Sequence, residues 1–416
     1  MLIANCIYHR NELSSPDNIS ENTYRTVIGQ THESILAEYE EMNTGNAYTD
    51  NVLYGMRKIN GVNYQLTGGF CGELSSVKQE NAYSAHSYSF YTVPRIEWER
   101  NDFLFTAATT VRWSHLPKQS YSRFCVSPFF CFRYKFTPRW KMSLLGSLDE
   151  SEGGLKDIYP FRYREDYRTV VKHTGKVPVT VRQLYTCYLE YKNTIKEFFW
   201  TLSASYSHNR YNLITERNYK DGNFYLSSVE RNHSSHSYTL NTIGSKGIYD
   251  WNLKTSLELT LARNEGKQLN EGIVQDYRYD YLCIEPKIVW APSVFFEAEY
   301  KATVSCVGGG IGEDTSLDPL WEVAQRLTLS LEFHDTEFRL SGEHFYNDLS
   351  KNQHLNIWLA DVSLIHKVGK WRFAASAINL FNKEQYRYTL YSAVQSYTSW
   401  IKLRPREFMV SVQYQW

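Results

Sequence analysis

From about residue 50 to the C-terminus, apolar and polar side chains take turns with a period of two, and the 3.6-residue period of a helix is almost absent. In residues 251–261, Trp251, Leu253, Leu257, Leu259 and Leu261 fall on one face of an extended chain, while Asn252, Lys254, Ser256, Glu258 and Thr260 fall on the other. The same split recurs in Phe103, Phe105, Ala107, Val111 and Trp113, and in Phe198, Trp200, Leu202, Ala204 and Tyr206. It recurs again in Val294, Phe296, Ala298, Tyr300 and Ala302, opposed by Glu297, Glu299 and Lys301. The last strand reads Phe408, Val410, Val412, Tyr414 and Trp416 against Glu407, Ser411, Gln413 and Gln415. Such a chain builds sheets with one dry and one wet face.

The connections are expected to be of two alternating kinds. Short ones fall near Asn60–Asn63, Arg100–Asp102, Thr137–Arg139, Lys192–Lys196, Ser245–Asp250, Ala291–Ser293, His334–Thr336 and Lys367–Lys370. Long polar ones are expected at Ser147–Arg182, Ser207–His236, Arg263–Tyr277, Cys306–Trp321 and Asn382–Trp400. With a further strand near Ser34–Glu41 and the terminal one, the reading is an all-β, antiparallel, up-and-down transmembrane β-barrel of about 16 to 18 strands, tight turns at one rim and large loops at the other. Residues 1–32 are expected to be an irregular N-terminal segment and 33–416 the barrel, with no plug domain.

Composition narrows the function classes. The 45 Lys+Arg balance the 45 Asp+Glu, so no basic footprint favours nucleic acid. No apolar run is long enough for a membrane-spanning helix and mean hydropathy is −0.49, but a strand barrel shows only every second residue to lipid. Aromatics make up 16% of the chain, led by 33 Tyr; Tyr and Trp suit membrane interfaces, sugar faces and protein interfaces. The 7 cysteines are scattered without a CxxC pair, so neither a zinc site nor a disulfide framework is read. The segment Met1–Tyr8 is too short for a signal-peptide core and lacks a basic leader, so no export signal is expected in the chain as written.

The C-terminal quarter is more specific. Trp371–Asn382 ends in Asn379-Leu380-Phe381-Asn382; Tyr386 follows, then Leu403-Arg404-Pro405-Arg406 opens the last strand, Glu407–Trp416. This ordered set resembles the end of TonB-dependent outer-membrane receptors, especially those of Bacteroidetes. The resemblance implies that the Asn-Leu-Phe-Asn element closes the penultimate strand. It also implies that Phe408, Val410, Val412, Tyr414 and Trp416 form the signal read by the barrel-assembly machinery. Receptors of this type add a plug, a signal peptide and about 22 strands; the expectation is therefore a truncated receptor, an incomplete 22-stranded barrel.

Catalytic signatures are missing: no HExxH, GxSxG or GxxxxGK[ST] occurs, and the chain is not read as an enzyme. Gly308–Gly312 is read as a flexible polar loop, and Glu313, Asp314 and Asp318 as a solvated acidic one in preference to a calcium site. His233, His236, His334, His344, His354 and His366 lack a third ligand at fixed spacing and are read as surface or lumen residues. Loop aromatics Tyr159, Phe161, Tyr163, Tyr225, Tyr388, Tyr391 and Tyr397 are weighed as ligand-stacking groups against interface or loop packing. Arg404 and Arg406 are expected to anchor the mouth of the last strand.

The leading expectation is a receptor-like importer of a large or scarce solute, such as a glycan, in the outer membrane of a Gram-negative bacterium. Its partners would be outer-membrane lipid, the assembly machinery and, if a plug is supplied elsewhere, the TonB system; no cofactor, metal or nucleic acid is expected. The ligand-binding residues are left unassigned. Two rivals stand: a plugless porin or adhesin barrel, and a soluble carbohydrate-binding β-protein.

Overall fold

The computed structural model describes residues 2–4, 41–54, 61–78, 83–164, 168–312, 315–350, 353–391 and 396–415. A three-residue strand, β1 (Leu2–Ala4), pairs antiparallel with β2 (Glu41–Tyr54). From β2 the chain meanders through β3 (Val62–Lys78), β4 (Tyr83–Arg100), β5 (Phe103–Leu116), β6 (Tyr121–Lys135) and β7 (Trp140–Glu152). Two short strands, β8 (Arg162–Arg164) and β9 (Thr169–Lys172), lie in the connection to β10 (Val179–Asn193). Then come β11 (Phe198–Lys220), β12 (Asn223–Ile248), β13 (Leu253–Asn270), β14 (Ile273–Ser293) and β15 (Phe296–Ile311). The series continues with β16 (Thr315–Phe333), β17 (Thr336–Ser350), β18 (Gln353–Val368) and β19 (Trp371–Ile378). A separate hairpin, β20 (Gln385–Tyr391) with β21 (Ser396–Lys402), precedes β22 (Glu407–Tyr414), which pairs with β19.

Seventeen long strands thus form one antiparallel up-and-down sheet, each next to its neighbour in sequence, which agrees with the expected count and order. The strand expected at Ser34–Glu41 lies outside the described residues, apart from Glu41, where β2 begins. In the expected N-terminal segment, residues 2–4 are described and the rest lie outside.

Register carries the alternation across the sheet. Leu253 lies opposite Trp290, Trp290 opposite Ala298, Ala298 opposite Leu329, and Leu329 opposite Leu340. The row continues from Leu340 to Val362, Ala377 and Phe408. Because a one-residue slip would send every side chain to the other face, this agreement over eight strands fixes a single apolar surface. Among the described residues no second layer covers it: Phe408 is 73% exposed and Val410 81%, and Leu257, Leu327, Leu331 and Leu364 are exposed beside them. A sandwich of two stacked sheets would have buried these residues.

Two aromatic belts bound this surface. Near the short turns lie Trp98 with Phe103 (ring centroids 5.0 Å apart), Trp140 with Tyr191 (4.8 Å), Trp290 with Phe296 (5.7 Å) and Trp371 with Tyr414 (4.8 Å). Farther along the strands lie Phe70 with Phe90 (5.0 Å), Phe90 with Trp113 (6.0 Å) and Tyr206 with Tyr238 (5.1 Å). Between Phe103 and Trp113 the rise is roughly ten residues of tilted strand, about 23 Å, close to the hydrocarbon band of outer-membrane barrels. Gln325 and His344 interrupt the apolar surface, but they are joined to each other (2.8 Å), to Tyr300 (2.9 Å) and to Asn356 (3.0 Å), so their polar atoms are satisfied within the protein.

Several expected loops are strands instead. The polar stretches Ser207–His236, Arg263–Tyr277 and Cys306–Trp321 are the upper parts of β11–β12, β13–β14 and β15–β16, which run on as tall hairpins. Above the belt both strand faces meet water, so backbone pairing continues while the dry–wet signal disappears. Two-residue turns close the first two: Asp221-Gly222 (φ 51 and 78) and Glu271-Gly272 (φ 48 and 79), left-handed positions suited to a tight hairpin. Gly308–Gly312 is likewise not a flexible loop but largely the end of β15, where the register shifts at Gly309. With φ at 149, and Arg278 O where a Cβ would stand, glycine is required there. The short turns at Asn101-Asp102, residues 136–139 and His334-Asp335 fall as expected, while β14 runs to Ser293 and turns one position later, at Val294-Phe295.

Candidate functional site

The inward face is a wall of hydrogen-bonded and ionic side chains. Lys141 meets Glu190 at 2.7 Å, Asn241 Nδ2 donates to Glu258 at 2.8 Å, and Thr303 Oγ1 donates to Glu285 at 3.2 Å. Lys287 faces Glu299 at 3.4 Å, Arg326 faces Glu343 at 3.3 Å, and Arg339 faces Glu337 at 3.0 Å. Opposite charges, on adjacent strands or two residues apart on one strand as in Glu337 and Arg339, neutralise one another and leave a wettable lining.

The long connection Ser147–Arg182 is real, although β7 extends to Glu152 and β10 begins at Val179, and it carries a buried apolar cluster. Its short 3-10 turn, Leu155–Ile158, brings Ile158 to 0% exposure in a cluster with Ala85, Leu116 and Val177, flanked by Tyr83 and Tyr121. Ala85 and Leu116 have the inward parity of β4 and β5, so the connection folds onto the inner side of the wall. Tyr159 and Phe161 close the cluster with rings 5.4 Å and 6.1 Å from Tyr83. Of the loop aromatics weighed as ligand-stacking groups, these two pack inside the connection; the side chains of Tyr163, Tyr388, Tyr391 and Tyr397 lie outside the described residues. The tip of β12 joins this cap by parallel pairing of Phe224–Ser227 with β9.

Polar ties hold the cap. Arg123 pairs with Glu150 at 3.0 Å, Arg112 Nη2 donates to Glu150 O at 3.0 Å, and Tyr121 OH donates to Glu152 at 3.0 Å. Burial, reinforced by the Glu152 charge, pushes the Tyr121 phenol up, so it stays a donor. Asn212 accepts from Val179 N (2.7 Å) and donates to Val177 O (2.9 Å), pinning the end of the connection to β11. Beside the cap, Tyr211 stacks on His233 (4.8 Å) and His208 on His236 (4.6 Å). Burial lowers His233, and burial with neighbouring His236 and Arg210 lowers His208, so both are neutral at pH 7.

The C-terminal residues singled out in the sequence come together. Asn379 is 6% exposed with φ 54, at the end of β19. Its Nδ2 donates to Lys383 O (2.7 Å) and Arg404 O (2.8 Å), its Oδ1 accepts from Lys383 N (2.9 Å), and its own N–H reaches Asp361 Oδ1 (2.8 Å). Leu380 N donates to Ala360 O, and Asn382 Oδ1 accepts from Arg406 N at 2.9 Å. Asn379 and Asn382 thus clasp the Leu403–Arg406 segment (with Pro405 within it) to the penultimate strand, below the β20–β21 hairpin. Phe381 is exposed; Arg404 is 85% exposed and 4.0 Å from Glu407. Phe408, Val410, Val412 and Tyr414 share the outward face of β22; Trp416 lies outside the described residues.

The other histidines are dispersed: His344 stacks on Trp358 (4.2 Å), His354 on Tyr346 (5.7 Å), and His366 bonds Thr336 (2.8 Å). Among the described residues no three potential metal ligands gather. Glu313, Asp314 and the Asp318 side chain lie outside the described residues.

These features define a class: an all-β, up-and-down antiparallel barrel wall with a lipid-type exterior and a polar interior. No protein-family model and no curated protein matches the chain. Among solved structures it is similar to the ferric enterobactin receptor PfeA of Pseudomonas aeruginosa, with 9% identity over 89% of this chain and 77% of that one (TM-score 0.31). It is also similar to the ferric yersiniabactin uptake receptor FyuA of Yersinia pestis, with 10% identity over 90% and 77% (TM-score 0.33).

Proposed function

We propose that the chain forms the outer-membrane barrel of a TonB-dependent receptor-like importer in a Gram-negative bacterium. The observation that carries the proposal is the uncovered apolar face, continuous in register and bounded by two aromatic belts. In water such a surface would cost about 25 cal/mol for every Å² left exposed, whereas in a bilayer it is the solvated face. The paired charges of the inward face suit the passage or seating of a polar solute, and the cap beside the mouth provides contacts that select it. The clasped Asn379–Arg406 element and the outward β22 side chains support the receptor resemblance; we assign β22 the role of the assembly signal. Coupling to TonB requires a plug, supplied elsewhere in the gene or by another chain, and the chemistry is transport, not catalysis.

The soluble carbohydrate-binding reading is disfavoured by the same exposed surface. The plugless porin or adhesin differs in one respect, the plug. Outer-membrane extracts run on gels with and without boiling test the barrel: the folded form is expected to migrate differently from the boiled one. Unchanged mobility would count against the proposal. Adjacent genomic sequence encoding a plug separates the importer from the porin.

A further inference from the structure

We infer that the cavity under the cap takes a small solute bearing two or more carboxylate, phosphate or sulfate groups. The inference rests on the importer reading, since it names the class of solute received at that mouth. The cavity measures about 840 Å³, within the range of small-molecule sites. It is lined by Arg123, Arg210, Arg231 and Lys267 together with Tyr211 and His233, and none of its described lining residues is acidic.

The four cations are not equivalent. Arg123 is occupied by Glu150 at 3.0 Å and Lys267 faces Asp276 at 3.6 Å. Arg210 and Arg231, on the facing strands β11 and β12, have no carboxylate within ion-pair distance among the described residues. Both arginines are exposed beside the open cavity, where an arriving anion can reach them. Each offers a planar fork that matches a carboxylate, phosphate or sulfate edge through two parallel hydrogen bonds. The inward wall shows the contrast, because there the cations meet carboxylates on neighbouring strands. The register shift between Tyr211 and Leu213 opens this site: β12 bulges there, and residues 216–217 of β11 pair directly with β13.

The test uses the full chain in detergent micelles, taken from the heat-shifted, folded band, and calorimetric titration with three probes. Trigalacturonate and inositol hexakisphosphate carry the anionic groups; maltotriose is a neutral saccharide. At least one anionic probe is expected to bind, with affinity falling as sodium chloride is raised, and maltotriose is expected not to. The Arg210→Gln/Arg231→Gln double variant should weaken binding by about 30-fold or more, the loss of two charge-assisted contacts. Arg263→Gln, whose guanidinium is paired with Asp280 outside this cavity, should bind like the parent. Failure of both anions to bind, equal binding of maltotriose, or a double variant that folds and binds unchanged overturns the inference. A variant that loses the heat shift is replaced by the single substitutions, judged by the same criteria. If the parent chain itself shows no heat shift, the importer reading falls; if it shows the shift but binds no anion, only the solute class falls.

Discussion

The wall and the cap obey the hydrophobic effect in opposite directions. In the wall, Leu257, Phe408 and Val410 point outward with nothing over them, while Lys141, Glu190, Arg326 and Glu343 point inward. In the cap, Ile158, Val177, Leu116 and Ala85 form a closed apolar cluster with charged groups around its rim, as in any water-soluble domain. On the proposed reading, what differs is the solvent each region meets: hydrocarbon outside the wall, water around the cap. An apolar side chain is therefore evidence of a core in one region and of lipid contact in the other.

Truncating the cap core should give the largest effect. Ile158→Ala is expected to cost about 2–5 kcal/mol of local stability; limited proteolysis should then cut residues 153–178 faster while the heat shift of the barrel survives. Loss of the heat shift as well would mean that cap and wall are one cooperative unit. The complementary change is Leu257→Arg on the outward face, expected to destabilise by about 2–4 kcal/mol near the bilayer midplane in urea unfolding from vesicles. A negligible effect would move Leu257 away from lipid and break the contrast.

Asn379→Ala sharpens the comparison at a point where the wall depends on polar burial. It removes three side-chain hydrogen bonds from a buried turn and should cost about 1–3 kcal/mol, read as earlier protease cleavage between residues 379 and 406. The smallest effect is a pH dependence in the cap. Burial, with the nearby Asp157 charge, holds Glu73 above the ordinary carboxylate range. The folded cap therefore binds more protons than the unfolded chain. Its docking is fully stabilised below about pH 4.5 and weakens as the pH rises through the raised value. Glu73→Gln should flatten the pH profile of hydrogen exchange over residues 153–160. His233, lowered by burial, acts in the opposite sense: its contribution is present above the ordinary imidazole value of about 6.5 and is lost as the pH falls through the lowered one. A Glu73→Gln profile identical to that of the parent would remove Glu73 from the docking equilibrium.

Much of the wall is legible in the sequence because an apolar face on one side and a polar lining on the other impose a period of two, visible in 251–261 and 407–415. The tall hairpins are not legible by that rule: above the belt neither face is dry, so Ser207–His236 reads as a loop although its backbone is paired throughout most of its length. The local signals that betray them are Asp221-Gly222 and Glu271-Gly272, turn pairs that a search for left-handed positions would have found. The basic cavity left no comparable trace. Arg210 and Arg231 are 21 positions apart, with 18 of the 20 residues between them in strands β11 and β12, and neither belongs to a motif.

By itself the sequence determined the strand class, the order of the meander and the outward residues, because these depend on spacing along the chain. Only the tertiary structure decided where the tall hairpins turn, that the connection after β7 folds inward onto Ala85 and Leu116, and that two arginines with no ion-pair partner among the described residues line one cavity. Those outcomes depend on contacts between segments far apart in sequence, and no local period encodes them.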